Sequence, residues 1–506
     1  MNKKKSPGAT PDISFVARVV DRDTMAIKVF GTHTHEEGTE YKHLHEGRSD
    51  GQYIAWHWDG ETLVACNDPL GFYPLFYSGN KHEVVVGTSP AAVLQHGVDA
   101  KLDATALATF FFLGFYLGND TPFSKIKVLP PHGKLIWRAG SLTVTGGYWA
   151  QPLSDDNACI ATDRFIELAR QAVKRRLPAE EQTWGMPLSG GRDSRYILYE
   201  LLEQSKRPSC VITTRQYPPR TAIDAEVASR LSTHLGLKHI IINPTHRLTA
   251  EYRKNLATHF MADEHAWFVG VADVLKQKVS CSYDGVGGDT LTGHWLRMPW
   301  RSAYEAGKID EVTEMLTDKS YVRSYPELPD LTLPELDDVR EYITRELRIH
   351  ASHHNPITQF MFWNRTRREI STMSCGLLRG LTVHCPFIDT DLYSYLSSLI
   401  PSAMGVSELH DRAFEKAHPN FSAIPLSPYG TKCGDLLHYS RFAWDLASYI
   451  FTSKSGGLLS ALQFLTSITS AGLSFQERKR LALKSPSRVL YRFQLNELRM
   501  SASQKK

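Results

Sequence analysis

Two runs of small and acidic residues hold most of the chemistry that this sequence can perform. The first is Pro187-Leu188-Ser189-Gly190-Gly191-Arg192-Asp193-Ser194-Arg195, with an apolar lead-in (Trp184, Met186, Leu188) and a helical pattern after it (Tyr196, Ile197, Leu201, Leu202). Two glycines between a strand and a helix let the backbone turn sharply and aim several N–H groups at one point. A helix start of this kind binds anions through unpaired amides and the positive end of the helix dipole. Leu188, Ser189, Gly190, Gly191, Asp193 and Ser194 are therefore candidate phosphate-binding residues, the serines as hydroxyl donors and Asp193 as a cation ligand. The Gly-x-x-x-x-Gly-Lys pattern is absent at this point. A Gly-Gly turn with a serine cap is the plain alternative, and the second run argues against it. In Cys281-Ser282-Tyr283-Asp284-Gly285-Val286-Gly287-Gly288-Asp289-Thr290-Leu291-Thr292-Gly293 a strand-like lead-in from Val279 ends in three glycines and an acid. Gly285, Gly287 and Gly288 permit close backbone approach, and Asp289 supplies a second carboxylate. Two carboxylates on two loops suit Mg²⁺, a hard cation that bridges polyphosphate oxygens.

The Ser-Gly-Gly-x-Asp-Ser run resembles the loop of the ATP pyrophosphatases, which cleave ATP between its α and β phosphates. Taken with the second run, it resembles the synthetase domain of the asparagine synthetase superfamily, where the counterpart reads Gly-x-Gly-Ala-Asp-Glu-Leu-x-Gly; Thr290 replaces that Glu. The run His384-Cys385-Pro386-Phe387-Ile388-Asp389-Thr390-Asp391-Leu392, followed by Ile400-Pro401, is similar to the superfamily's Arg-Val-Pro-Phe-Leu-Asp segment. Asn364-Arg365-Thr366-Arg367-Arg368 resembles the Arg-rich helix of divergent members. Ala423-Ile424-Pro425 and Lys432 resemble the element that carries a substrate-side lysine, although Lys432 reads equally well as a surface residue. In the N-terminal third, Asp68 to Tyr77, Thr121-Pro122-Phe123 and Leu129 to Leu135 resemble the glutamine amidotransferase domain that precedes such synthetases. These are scaffold features, turns and packing aromatics.

The resemblance implies ATP and Mg²⁺ as cofactors, held by the residues above with Thr213, and Asp193 and Asp289 as the metal ligands. It implies an AMP-forming carbon–nitrogen ligase that adenylates a carboxylate, releases pyrophosphate and passes the acyl group to an amine. Two departures shape the expectation. The family's amidotransferase nucleophile is a cysteine following the initiator methionine, its α-amine serving as base. Here Asn2 stands in a polar lead and the first cysteine is Cys66, so no glutaminase activity is expected. Thr382 stands where asparagine synthetases carry a glutamate, which argues against asparagine as product. A hydroxyl is no base near neutral pH, so His384 is nominated alongside Lys432 as a catalytic residue. A histidine merely packed beside Pro386 is the alternative. The other readings are an ammonia-dependent asparagine synthetase and a catalytically silent nucleotide-binding relative.

The elements that must position these residues follow from hydrophobic period. Residues 52–58, 62–66, 74–78 and 83–88 alternate as antiparallel strands do, giving an N-terminal α+β sandwich over 1–150. After a polar linker, Asp155-Asp156-Asn157, comes a helix capped near Thr162. Strands at 210–214 and 239–243 and helices at 225–235 and 266–276 then alternate. That spacing indicates a doubly wound parallel sheet, assigned to 155–435, with a helical extension at 436–506. Ligands in such sheets bind at the carboxyl ends of strands, where both glycine loops fall. Val211, Ile212 and Thr213 could line an adenine there, and Asp224, Glu226 and His239 match the family spacing.

The chain has 506 residues and a net charge of +4, too small to imply nucleic acid. Basic residues concentrate at Lys3-Lys4-Lys5, Lys174-Arg175-Arg176 and Arg478-Lys479-Arg480. Seven cysteines without CxxC spacing point to a reducing, cytoplasmic setting. Residues 456–473 are apolar-leaning but broken by Ser, Thr and Gln, so no integral membrane segment is expected. Partners are small-molecule or peptide carboxylates and amines; a homodimer or biosynthetic-cluster partners stay open.

Overall fold

The computed structural model describes residues 10–42, 49–217, 222–318, 334–419, 424–426, 436–453, 456–470 and 475–503. The N-terminal part is a sandwich of two antiparallel sheets. One has the order β2-β1-β7-β6-β8 and the other β10-β9-β5-β4-β3. The strands of the first are β1 (Ser14–Asp21), β2 (Ala26–Gly31), β6 (Phe76–Gly79), β7 (Glu83–Gly87) and β8 (Lys127–Val128). Those of the second are β3 (Thr34–Lys42), β4 (Ser49–Trp58), β5 (Thr62–Asn67), β9 (Lys134–Arg138) and β10 (Ser141–Thr145). Period-two patterning puts Trp56, Trp58, Leu63, Ala65, Leu135 and Trp137 inside, facing Phe15, Ala17, Val84 and Val86. The opposite face of β1 and β7 presents Val16 and Val85 to the larger core, which includes helix Ala104–Leu113. That helix stops at Gly114, whose φ of +90° is the left-handed cap only glycine adopts freely.

The hairpin after β5 is organised by one buried carboxylate. Asp68 accepts the N–H groups of Leu70, Phe72 and Tyr73 at 3.1, 3.0 and 2.9 Å, and burial pushes its pKa up to about 6. A loop that would otherwise leave buried donors unpaired is thereby satisfied. Gly71, at φ +64°, lies where a Cβ would come 2.9 Å from Pro131 Cα.

The second part is built on a five-stranded parallel sheet of order β13-β12-β11-β14-β15. Its strands are β11 (Trp184–Pro187), β12 (Cys210–Thr214), β13 (His239–Ile242), β14 (Cys281–Tyr283) and β15 (Thr382–His384). Helices Ala158–Lys174, Arg192–Glu203, Ile223–His234 and Val269–Lys278 alternate with them. The fold is thus the expected sandwich followed by a doubly wound parallel sheet and a helical C-terminal part. Three details differ. The first helix is capped by Asn157, whose side chain accepts from Cys159 and Ile160, while Thr162 lies inside it and bonds back to the Ala158 carbonyl at 2.7 Å. β15 has too few residues for any period to show. Strands β1 and β2, too, show no clean alternation: Phe15, Val16 and Ala17 are buried in succession on both faces of β1, and apolar Phe30 of β2 is exposed.

Buried ion pairs join the two parts. Arg176 reaches Asp389 at 2.7 Å and also Asp50 of β4, and Arg175 holds Asp389 at 2.8 Å. The Pro-Phe-Ile-Asp aspartate and the 174–176 basic run are therefore one structural node. Arg367 and Arg368 donate to the carbonyls of Gly118 and Asp120, each at 2.5 Å. They belong to a π-helix, Met361–Ile370, which departs from the ordinary helix expected there. Single π turns cluster at functional sites.

Candidate active site

The site grows from the turn between β11 and helix Arg192–Glu203. Gly191 enters that helix extended, at φ −82° and ψ 179°, with no side-chain cap on the first turn. The helix start is left to bind something else. The turn is braced from within: the Ser189 and Ser194 hydroxyls lie 3.1 Å apart, and the Gly190 N–H donates to Asp224 at 3.2 Å. Thr213 donates to the Leu188 carbonyl at 2.5 Å and accepts from His239 at 2.9 Å, tying β12 to the loop.

Asp193, at the first turn of the helix, is packed between the two glycine runs. A Cβ on Gly285 would come 2.7 Å from Asp193 Cβ, and one on Gly288 would come 2.8 Å from both its Cγ and Oδ1. Both distances are shorter than real Cβ contacts. The glycines are needed because the Asp193 side chain occupies their missing methyls. The neutral ring of His410 lies with Nδ1 3.3 Å from Asp193 Oδ1, and burial holds that imidazole down to about 3. Arg192 pairs with Asp411 at 2.5 Å, so helix Glu408–Ala417 clamps the cradle from outside. Arg195, fully buried, donates to the carbonyls of Ile424 and Pro425 at 2.8 and 2.9 Å.

Burial, followed by the nearby Asp289 carboxylate, pushes the Asp193 pKa well above the carboxylate range. The Asp289 N–H donates to Asp193. Burial likewise raises Asp284 to about 6, and its Oδ1 accepts from Val286 N–H at 2.9 Å. Asp193, Asp284 and Asp289 all line one cavity, and the charges of Asp289 and Asp284 each add to the rise at Asp193, although the oxygens of the three do not all lie within 4.8 Å of one another. The oxygen donors of the neighbouring pair Asp193 and Asp289 are of the kind that suits a hard divalent ion such as Mg²⁺, so the chemistry of these two residues fits the metal that such a loop pair implies.

A cavity of about 580 Å³ opens over these loops. Leu188, Ser189, Asp193, Ser194, Thr213, Gly285, Gly287 and Asp289 all line it, as do Ile212 and Asp224. Gly190, Gly191 and Gly288 are not in its wall; they shape the loops behind it. Neither Val211 nor Glu226 reaches it, Val211 being core and Glu226 exposed. Asn2, Lys3-Lys4-Lys5, Ala423 and Lys432 lie outside the described residues. Thr382 is absent from the lining and half-buried on β15.

His384 is not brought to the cavity. It sits behind Tyr283, ring centroids 5.1 Å apart, with Nδ1 hydrogen-bonded to the Tyr41 hydroxyl of β3. Burial and the Arg176 charge lower it to about 4. Its backbone carbonyl takes the Asp284 N–H at 2.9 Å, so its contact with the site is through the main chain. Thr290 accepts from the Trp295 indole at 3.2 Å and shares a bond with Thr366 at 3.0 Å, a neutral anchor for the second loop.

Across from the glycine loops the wall comes from a turn, Asp263-Glu264-His265-Ala266-Trp267, and from Arg365, Tyr217, Arg247 and Glu251. His265 adopts the left-handed conformation at φ +78°, and burial lowers its pKa to about 4. Arg365 pairs with Glu264 at 3.3 Å and Glu369 at 3.4 Å, and lies over the Trp295 ring at 5.1 Å. The Arg-rich run therefore divides, Arg365 to the cavity and its neighbours to the domain interface. Of the residues that sequence reasoning missed, only Asp284 had a signal, an acid at a strand end against a glycine loop. The 263–267 turn had none.

The asparagine synthase family profile matches residues 164–416, and a glutamine amidotransferase domain profile matches residues 36–149. No curated protein matches the chain. Among solved structures, the U34-tRNA thiolase NcsA from Methanococcus maripaludis with its [4Fe-4S] cluster is similar at 16% identity. That match covers 51% of this chain and 76% of the thiolase with a TM-score of 0.19, too weak a likeness to carry an argument.

Proposed function

Since the chain belongs to the asparagine synthase family, we propose that it is an ATP-dependent, AMP-forming amide ligase that adenylates a carboxylate and transfers it to an amine. The observation that carries this reading is the convergence of Ser189, Ser194, Asp193, Asp284 and Asp289 from two strand-end loops on one cavity. We take residues 155–435 as the ligase, 1–150 as the amidotransferase-like scaffold and 436–506 as a helical extension.

The chemistry follows from the residues. A carboxylate must lose its charge before an amine can attack it. Attack of the carboxylate oxygen on the α-phosphorus of ATP forms the acyl-phosphate bond and breaks the bond to pyrophosphate. The amides and hydroxyls of the 189–194 turn face the charge that leaves with pyrophosphate. One such preorganised contributor is typically worth about 10²–10³ in rate. Asp193 and Asp289 would hold Mg²⁺, which when bound neutralises part of the polyphosphate charge. His410 packs its Nδ1 edge against Asp193, and Thr213 with Ile212 forms the floor for the base. The amine then displaces AMP, with Arg365 and the 263–267 turn on the acceptor side. His384, buried behind Tyr283, is assigned a positioning role through its carbonyl.

Glutamine is not assigned as the nitrogen source. Among the described residues the amidotransferase-like part has one cysteine, Cys66, inside β5, and burial raises its thiol pKa. A mid-strand thiol has no α-amine to serve as its base. The test is to incubate the full chain with MgATP and a panel of carboxylates, with hydroxylamine as a general amine. AMP, pyrophosphate and hydroxamate should form together with at least one carboxylate, and Asp193→Asn should abolish all three. ADP and phosphate as products, or no ATP binding, would overturn the reading.

A further inference from the structure

Outside the cavity wall, the C-terminal helical hairpin presents an apolar surface that no described residue covers. Helix Leu436–Thr452 and helix Leu458–Ser470 pack through Leu446, Ile450, Ala461 and Phe464, joined to Val489, Leu490 and Phe493 of helix Phe475–Ser503. That inner face accounts for the apolar residues needed to hold the hairpin in place. Yet the outer face is apolar too: Trp444 is 66% exposed, Phe451 55%, Leu458 61%, Leu459 70% and Leu462 49%. Trp444 and Phe451 are seven apart and so share one helix face. Phe451 and Leu458 flank the turn, which is closed by Gly457 N–H donating to the Ile450 carbonyl at 3.0 Å. A cluster of large apolar side chains at a hairpin tip marks an interaction surface.

The charge pattern says what covers it. From Gly456 to Phe475 the chain contains no Asp, Glu, Lys or Arg. Between Lys454 and Lys484 there are five basic residues and one acidic one, Glu477, so this short stretch has the same net charge, +4, as the whole chain. On the outer face of helix Leu436–Thr452 the exposed Arg441 stands one turn from Trp444. A second copy would set like charge against like. A surface with negative headgroups and an apolar interior matches both features, and helices with Trp, Phe and Leu on one side and basic flanks lie in such interfaces. Among the described residues no helix is long and apolar enough to cross a membrane, so contact would be interfacial.

We propose that the hairpin docks the protein on an anionic lipid surface, with Phe451, Leu458, Leu459 and Leu462 entering the headgroup boundary beside Trp444. The test uses the full chain and phosphatidylcholine vesicles with or without phosphatidylglycerol, read by co-sedimentation and by tryptophan emission. Binding should require phosphatidylglycerol, weaken with added salt, and fall at least about tenfold in the triple variant Leu458→Ser, Leu459→Ser, Leu462→Ser. A blue shift of emission on binding should be lost in Trp444→Tyr. All these residues are exposed and outside the cavity, so ATP binding should be unchanged in each variant, which establishes that the fold is retained. No binding to phosphatidylglycerol vesicles, or binding that the triple variant leaves intact, would overturn the proposal. A dimer in free solution that the triple variant dissolves would overturn it in favour of a second copy.

Discussion

Gly288→Ala should impair the ligase through Asp193 rather than through its own position. The added methyl would stand 2.8 Å from Asp193 Cγ and Oδ1 and 2.9 Å from a Phe387 ring carbon, where ordinary contact begins at 3.4 Å. Asp193 must therefore retreat by about 0.6 Å to restore normal carbon contact. It cannot do so without disturbing its contact with His410 and loosening the bond from the Asp289 N–H. Misplacement of about 1 Å at a reacting centre costs around 10²-fold, so pyrophosphate release should fall about tenfold to 10²-fold. The assay is AMP and pyrophosphate formation by the full chain, with MgATP and a carboxylate that supports turnover. It is run on Gly288→Ala, Asp193→Ala and the double variant. Because the glycine acts by leaving room for the aspartate, the double variant should be no slower than Asp193→Ala alone. Effects of the two substitutions that multiply would refute the reasoning, since the methyl would then be acting somewhere other than on the carboxylate.

The buried node at the domain interface gives a stability prediction: Arg176→Met removes the ion pair to buried Asp50 and weakens the hold on Asp389, and should cost about 3–5 kcal/mol in urea unfolding, partly recovered by adding Asp50→Asn. Arg176 and Arg175 hold the Asp389 carboxyl down to about 2 against an ordinary 3.8. Its contribution is thus present above about pH 4 and lost as the pH falls toward 2, and Asp389→Asn should flatten the acid limb of a urea-midpoint series. Incubation with glutamine, with or without MgATP, should yield no glutamate above background; stoichiometric labelling of a cysteine by a glutamine-analogue electrophile would contradict this. Aspartate with ammonium and MgATP should give no asparagine, because Thr382 stands half-buried on β15 and outside the cavity; efficient formation of asparagine with AMP would restore ordinary asparagine synthesis.

The sandwich and the parallel sheet were legible because both rest on period. Alternation along β4 and β5 separates the tryptophan-lined interior from solvent. The β-branched run at Cys210–Thr214, buried throughout, reads as a central strand. β15 was not legible: three residues carry no period, and its place beside β14 is set by the packing of Phe387 and Ile388 on the glycine loop. The π-helix at Met361–Ile370 was also beyond sequence reasoning. Its side-chain spacing follows from Asn364, Arg367 and Arg368 reaching the 118–120 loop, a contact made by residues some 250 positions away.

The two halves of the cavity differ in legibility for a physical reason. Polyphosphate is recognised by backbone amides, and a backbone can approach it closely only at glycine-rich strand ends. The chemistry therefore leaves its mark in contiguous residues such as Ser189 to Ser194 and Gly285 to Asp289. An acceptor is recognised by side chains, which any element can supply if the fold aims them correctly. Glu264 and His265 come from a turn and Arg365 from a π-helix, with Glu251 and Ser487 from two further helices. The left-handed backbone at His265 has no marker, since the residue there is not glycine. What holds that turn is again distant: Lys254 donates to the Ala262 and Asp263 carbonyls at 2.9 and 3.2 Å, and Arg488 clamps Asp263 at 2.9 Å. The C-terminal helix, outside the matched family segment, thus braces the wall proposed for the acceptor. Specificity for the amine or the carboxylate is expected to vary with that helix, while the nucleotide loops stay constant.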